Sequence, residues 1–221
     1  RSSQSLSGKK ILVTAGPTYQ KIDPVRFIGN YSSGKMGFSL AQACADRGAD
    51  VILIAGPVNL EINHPNIKRV NVESAQQMYE EALVAFPFAN AALLCAAVAD
   101  FTPKETAASK LKRGKEDLVL ELEPTRDIAM ELGKIKKESQ VLAGFALETD
   151  NEEEQALKKL QKKNLDFIVL NSLKDENACF GYDTNKILIL DKEGNKIPFP
   201  LKPKIEVAKD IIDKLEEIIK S

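Results

Sequence analysis

Chemistry in this chain has to rest on lysine, aspartate, asparagine, serine and backbone groups. Its 221 residues hold one histidine, His64, and three widely spaced cysteines, Cys44, Cys95 and Cys179. That inventory excludes a histidine-based triad, a multi-histidine metal site, a CxxC metal site and a disulfide framework. His64 stands in an Asn-His-Pro sequence and reads as a turn residue. Cys95 lies inside an apolar run with no histidine nearby and reads as a core thiol rather than a nucleophile.

The richest stretch is Gly29-Asn-Tyr-Ser-Ser-Gly34-Lys35-Met36, which has the outline of a phosphate loop, GxxxxGK. It departs from that loop in two ways: Met36 stands where a hydroxyl should meet Mg²⁺, and the preceding strand ends near Ala15 rather than feeding the loop. A looser role survives, in which Gly34 and Gly37 let backbone approach an anionic ligand at a helix start. Asn30, Ser32 and Ser33 offer an amide and hydroxyls that can orient a carboxylate, or simply fill a turn. Asp100 closes the AAVAD segment, where a carboxylate can bind a ribose or a metal-bound phosphate, or cap a turn. The segment after it carries Lys104, Lys110, Lys112, Arg113 and Lys115, a charge run that either closes over a polyphosphate or remains a solvated surface. Lys159 and Lys163 stand four apart on one predicted helix, a like-charge pair that an anion between them would relieve.

The elements that must position these residues alternate. KILVTA (10–15), VILIA (51–55) and ALLCAAVA (92–99) read as buried strands, with further strands at 118–122, 141–146 and 166–171. Helices are expected from Gly37 to Asp46, from a Ser74 capping box, and over 127–137 and 152–163. This is an α/β chain, a Rossmann-like doubly wound and mainly parallel sheet. After Asn171 the pattern changes: KILIL, DKEGN and KIPF form a hairpin, and Val207, Ile211, Leu215, Ile218 and Ile219 give a last helix one apolar stripe. Residues 16–33 and 100–117 are long loops leaving the carboxyl ends of strands, the edge at which such sheets bind ligands.

Composition sets the outer bounds. Thirty-one basic and thirty-two acidic side chains leave a formal charge of −1, which indicates no polyelectrolyte partner such as nucleic acid or an anionic membrane. No apolar run approaches the length of a membrane span and no signal peptide opens the chain, so a cytoplasmic location is expected. With Arg1 in place of methionine and polar SSQSLS after it, residues 1–8 are expected to be a tail or linker, and a chain cut from a longer protein is the expectation.

Several segments together resemble one family, the bacterial phosphopantothenoylcysteine synthetases. They are AGPT (15–18), DPVRFIGNYSSGKMG (23–37), CAAVADF (95–101), KLKR (110–113), GFALET (144–149) and KKNLD (162–166), in matching order from about Lys9 onward. The resemblance implies a ligase domain over 9–221 that joins 4′-phosphopantothenate to L-cysteine in coenzyme A biosynthesis. CTP would activate the carboxylate, giving an acyl-cytidylate and pyrophosphate, and the cysteine amine would then displace CMP. Such nucleotidyl transfer needs positioning and charge neutralisation more than a protein nucleophile. Family members are often fused to an FMN-dependent decarboxylase domain, which the chain's first residue would accommodate.

Carried over by position, the resemblance makes Asn30 the residue that handles the acyl-cytidylate and Lys110 the lysine of a mobile flap (102–117) over the triphosphate. Leu94, Cys95, Ala96, Asp100, Arg126, Asp127, Ile128, Ala129, Phe145, Lys159 and Lys163 take CTP-binding positions. Arg26, Ser32 and Ala97 take phosphopantothenate-binding positions alongside Asn30. The resemblance also implies Mg²⁺ with the triphosphate, with no protein ligand assigned to it, and a homodimer formed through a hairpin lobe near 172–203. Arg113 replaces the usual last lysine of the flap motif, and Arg126 stands where the family has proline.

Two other classes compete. A reductase binding NAD(P) in a Rossmann fold is disfavoured because the first loop lacks G-x-G-x-x-G and the second strand ends without an acidic residue for a ribose. A catalytically silent nucleotide-binding module is disfavoured because Asn30, Asp100 and Lys110 are all present.

Overall fold

Aliphatic runs of four to eight residues alternating with amphipathic helices build a three-layer α/β/α fold in the computed structural model, which describes residues 4–148, 152–172 and 183–219. In chain order the elements begin with β1 (Lys10–Ala15), β2 (Tyr19–Lys21), β3 (Phe27–Gly29), α1 (Lys35–Asp46), β4 (Asp50–Ala55), β5 (Ile67–Asn71) and α2 (Ala75–Ala85). After a 3-10 turn come β6 (Ala91–Leu94), β7 (Phe101–Pro103), β8 (Leu122–Pro124), α3 (Ile128–Ile135), β9 (Val141–Glu148) and α4 (Glu152–Lys162). The chain continues with β10 (Phe167–Ser172), β11 (Thr184–Asn185), β12 (Ile187–Asp191), β13 (Lys196–Pro198), β14 (Lys202–Pro203) and α5 (Lys204–Ile218).

Among the described residues, eight strands form the central sheet in the order β13-β12-β10-β9-β6-β1-β4-β5. The six strands from β10 to β5 run parallel, while β12 and β13 add an antiparallel edge. Alternate side chains of the sheet feed two cores. Ile11, Val13 and Ala15 of β1 join the core under α1 and α5, whereas Leu12 joins the one under α2, α3 and α4. Phe167 and Phe86, one in each core, are fully buried, each worth about 1.5–3 kcal/mol of apolar transfer.

The expected helices form with small shifts. Ser74 accepts from Gln77 N–H while the Gln77 side chain returns to the Ser74 N–H, so the capping box read from sequence is present. Helix α1 begins two residues before Gly37, with Gly34 at a positive φ of 79° as its cap. The hairpin read at 186–199 forms as β12 and β13 and continues the central sheet. Residues 173–182, which include Cys179 and part of the expected dimer lobe, lie outside the described residues.

Four sequence readings need correction. The strand expected over 92–99 leaves the sheet at Leu94, because the next donors are taken by Thr14 near the end of β1 and by the loop after it. Ala96 N–H goes to Thr14 Oγ1 (3.3 Å), Ala97 N–H to Gly16 O (2.9 Å) and Ala99 N–H to Thr18 Oγ1 (3.0 Å). No central strand occupies 118–122; Leu122 opens β8, which pairs antiparallel with β7 in a ladder of its own. Strand β5, which sequence reading missed, is a charged edge strand, IKRVN, with no strong alternation. In the expected polar tail, Leu6 is buried in the core and donates its N–H to Arg47 O (2.9 Å).

Candidate active site

Strand order reverses between β1 and β6. The chain leaves β1 toward β4 on one side and leaves β6 toward β9 on the other, opening a crevice at the carboxyl ends of both strands. Two cavities occupy that crevice and share Ala96, Val98 and Phe145 in their walls. Phe145 lies in β9, and Ala96 and Val98 belong to the segment that the Thr14, Gly16 and Thr18 bonds hold out of the sheet. A third cavity, of about 590 Å³, lies at the amino ends of β1, β4 and β5 and contains none of the expected site residues.

The first cavity, of about 640 Å³, lies against the start of α1. Asn30, Ser32, Cys95, Ala96, Ala97 and Phe145 from the expected set line it. Its wall reaches so near the sheet because of Gly37: a Cβ there would lie 2.4 Å from the Cβ of Ala15, so only glycine lets α1 start on the end of β1. The Asn30 amide is oriented by donation from Nδ2 to Val98 O (3.1 Å). The Lys35 ammonium is taken by Asp183 at 2.6 Å, so the loop's lysine is directed to the β11 region rather than along a P-loop cradle. Burial pushes the Cys95 thiol up to about 12, only partly opposed by Lys204, so the thiol is protonated and weakly nucleophilic.

The second cavity, of about 290 Å³, collects Leu94, Ala96, Asp100, Arg126, Asp127, Ile128, Ala129, Phe145, Lys159 and Lys163. Thr125 ties the two segments together, donating Oγ1–H to Ala99 O (2.6 Å) and N–H to Asp100 O (2.9 Å). Asp127 caps α3 by accepting from Met130 N–H (3.0 Å). Lys163, just past α4, places its ammonium 3.0 Å from Asp127 Oδ2. Burial alone would raise the Asp127 carboxyl, but the Met130 N–H and Lys163 hold it below the ordinary range. Arg126 lays its guanidinium over the Tyr79 ring of α2, 5.2 Å from the centroid, which holds it at the cavity.

Two expected residues line neither cavity: Lys110, which is exposed, and Arg26, whose guanidinium is paired with Asp23. The segment carrying Lys110 rises from the β7–β8 ladder and is pinned to the first loop by Thr106 Oγ1 donating to Lys21 O (3.3 Å) and Ala107 N–H donating to Ile22 O (3.0 Å). Sequence reading passed over Asn171, Asn185 and Lys204 in the first cavity and Thr14, Thr125 and Gly144 in the second. The signal for Asn171 was a polar residue closing the apolar strand FIVL; Asn185 and Lys204 had none short of the fold.

Among the described residues, no group of three or more His, Cys, Asp or Glu side chains is placed to hold a metal, and no helix is long and apolar enough to cross a membrane.

Comparison with known proteins adds an independent line. Residues 6–219 match the family model described as the DNA/pantothenate metabolism flavoprotein C-terminal domain. A Bacillus subtilis (strain 168) protein named coenzyme A biosynthesis bifunctional protein CoaBC is 45% identical over 219 residues, covering 99% of this chain and 54% of that protein. A protein named cysteine/cysteine sulfinic acid decarboxylase, from an unknown prokaryotic organism, is 52% identical over 218 residues, 99% of this chain and 61% of its own length. The chain thus spans little more than half of these relatives. The crystal structure of the C-terminal domain of a coenzyme A biosynthesis bifunctional protein CoaBC superposes with a TM-score of 0.84 at 42% identity, covering 98% of each chain.

Proposed function

The chain belongs to the family of DNA/pantothenate metabolism flavoprotein C-terminal domains, and from that premise we propose that it is a phosphopantothenate–cysteine ligase using CTP. The observation that carries the reading is the shared wall: one cavity fit for a nucleotide and one fit for a carboxylate-bearing substrate meet at Ala96, Val98 and Phe145. A carboxylate in the first cavity and an α-phosphate in the second would then be neighbours, which is the arrangement that in-line nucleotidyl transfer needs.

On this reading CTP lies in the second cavity, its base and ribose along 126–129 and its phosphates toward Lys159 and Lys163. The carboxylate of phosphopantothenate attacks the α-phosphorus, an O–P bond forms, and pyrophosphate leaves. The amine of cysteine then attacks the acyl carbon, a C–N bond forms, CMP leaves with the C–O electrons, and the amine gives up a proton. Asn30 is the polar side chain beside the acyl group, and the protonated Cys95 takes no covalent part. Mg²⁺ would travel with the triphosphate, neutralising its charge, with Asp100 the carboxylate in reach; magnesium commonly binds through one or two carboxylates plus phosphates. Ser32, Ala97 and Arg26 are assigned to the phosphopantothenate end. A homodimer, a cytoplasmic location and an FMN-dependent partner domain in the longer protein complete the proposal.

A reductase of this kind would use a Tyr-x-x-x-Lys pair for hydride transfer; Tyr31 and Lys35 have that spacing, but Tyr31 is 85% exposed and Lys35 is engaged by Asp183. The decarboxylase name of one relative belongs to a protein of which this chain spans 61%, and does not locate that activity in the matched residues. The test is turnover with phosphopantothenate, cysteine and each of the four nucleoside triphosphates, reading pyrophosphate and nucleoside monophosphate. CTP should release both stoichiometrically with the amide product. Hydride exchange with a nicotinamide, or nucleotide binding without pyrophosphate, would replace the assignment.

A further inference from the structure

The DPVR segment opens with Asp23, a carboxylate 1% exposed that none of the roles above uses. Its two oxygens do different work. Oδ1 accepts from the backbone N–H groups of Val25 (2.9 Å) and Arg26 (2.8 Å), closing a local turn. Oδ2 accepts from the Arg26 guanidinium and from the N–H of Leu111 (3.0 Å), the residue after Lys110 and 88 positions along the chain. One oxygen therefore holds Arg26 and the backbone of the flap lysine together. With the Thr106 and Ala107 bonds, this lays 106–111 along residues 21–23, while residues 112–119 beyond it are exposed. Burial by itself would raise the Asp23 carboxyl, but its four donors carry it down to about 2, so it is ionised at neutral pH.

We propose that Asp23 is a positioning residue for the flap, fixing the backbone beside Lys110 through Oδ2 so that nucleotide binding orders less of the segment. This rests on the assignment of Lys110 to the triphosphate. Preordering lowers the entropic cost of binding rather than the barrier of the chemical step, so its loss should appear in the KM for CTP more than in kcat.

Asp23→Asn separates the two oxygens. The single remaining acceptor can keep the local turn, and the amide NH₂ then faces the donors of Leu111 and Arg26. In nucleotide-free protein, hydrogen exchange at the Leu111 amide should be slower than at 112–115 in the wild type and equally fast in Asp23→Asn. The KM for CTP should rise on the order of tenfold, with kcat at saturating CTP changing much less. A carboxylate that only maintained the fold would move the melting temperature and both kinetic constants together. Should Asp23→Asn not fold, Leu111→Pro removes the donor from the flap side of the bond and should raise the KM for CTP likewise. Unchanged exchange at Leu111 in Asp23→Asn, or a wild-type KM in either folded variant, overturns the proposal. If the wild type releases no pyrophosphate from CTP, the ligase reading fails instead, and the exchange comparison alone decides the role of Asp23.

Discussion

Lys163 and Asp127 form an ion pair, 3.0 Å from Nζ to Oδ2, at the wall of the cavity assigned to the nucleotide. Asp127 has a second task as the cap of α3. Without ligand, the carboxylate stabilises the ammonium that a phosphate would otherwise stabilise, so the cavity keeps a cation without leaving it unbalanced. A phosphate that approaches gains Lys163 only by sharing it.

Replacing Lys163 therefore has a direction and a size. Lys163→Gln removes the cation and leaves the Asp127 carboxylate facing the incoming phosphates. A hydrogen bond to a charged group is worth roughly 1.5–3 kcal/mol, and sharing with Asp127 brings the expected loss to its lower end. We expect the dissociation constant for CTP, measured by titration calorimetry, to rise about tenfold, which is about 1.4 kcal/mol. Asp127→Ala should instead lose about 1 kcal/mol of stability through the missing cap. An unaltered CTP affinity in Lys163→Gln would remove Lys163 from the site.

The acid limb of stability should follow Asp23 and Asp191. Burial would raise both carboxyls, but Leu111, Val25 and Arg26 hold Asp23 at about 2, and Lys214 and Asn195 hold Asp191 at about 2. Both folded values lie below the ordinary unfolded value of about 4. The stabilisation is present above pH of about 4 and is lost as the pH falls toward 2, because in that window the unfolded chain takes up protons that the folded carboxylates resist. Melting temperatures should be level from pH 7 to 5 and fall steeply below 4, and Asp23→Asn should flatten part of that fall. A melting temperature at pH 2.5 equal to that at pH 6 would contradict the assignment.

The sheet and the helices were legible in the sequence because their hydrophobic periods are local, and Ser74 and Gln77 even declared their cap. What was not legible depended on partners distant in sequence. ALLCAAVA is apolar throughout, yet its second half leaves the sheet because Thr14, Gly16 and Thr18, some eighty residues earlier, take its donors. The residues assigned to a nucleotide came from resemblance, and the fold gathers ten of them around one cavity. Asn185 and Lys204 line the other cavity because β11 and β14 pair, bringing residues nineteen apart to one wall, and no local pattern announces that.

Close packing at the crevice gives a stability test that is independent of activity. Gly56, just after β4, has no room for a side chain: a Cβ would lie 1.6 Å from the carbonyl oxygen of Pro17. That neighbour is backbone of the loop that orders Ala97, so relief would have to move the crevice itself. Gly56→Ala should cost more than about 4 kcal/mol or prevent folding, a size reserved for strain of this kind. Gly114→Ala, in the flap with nothing within 4 Å, should lie within about 0.5 kcal/mol of the wild type. Equal denaturant midpoints for the two variants would mean that Pro17 and Gly56 are not in this contact.

Asn30 offers the sharpest separation of the two half-reactions. Its Nδ2 donates to Val98 O at 3.1 Å, which fixes the amide plane at the wall shared by both cavities. Aspartate has nearly the same shape but, when ionised, only accepts. In Asn30→Asp the carboxylate would meet the Val98 carbonyl without a donor and would stand near the α-phosphate with like charge. Both effects act where the acyl-cytidylate must be held for the amine, and removing one preorganised donor of this kind typically costs on the order of 10²–10³ in rate. On the proposed assignment, attack on the α-phosphorus would draw on Lys159 and Lys163 across the wall and depend less on this amide. Mixing Asn30→Asp with phosphopantothenate and CTP should release pyrophosphate in near-stoichiometric amount and leave an acyl-cytidylate bound. Addition of cysteine should then barely accelerate formation of product. Turnover at the wild-type rate with cysteine would make Asn30 an ordinary loop residue. Failure to release any pyrophosphate while CTP still binds would move its role to the activation step.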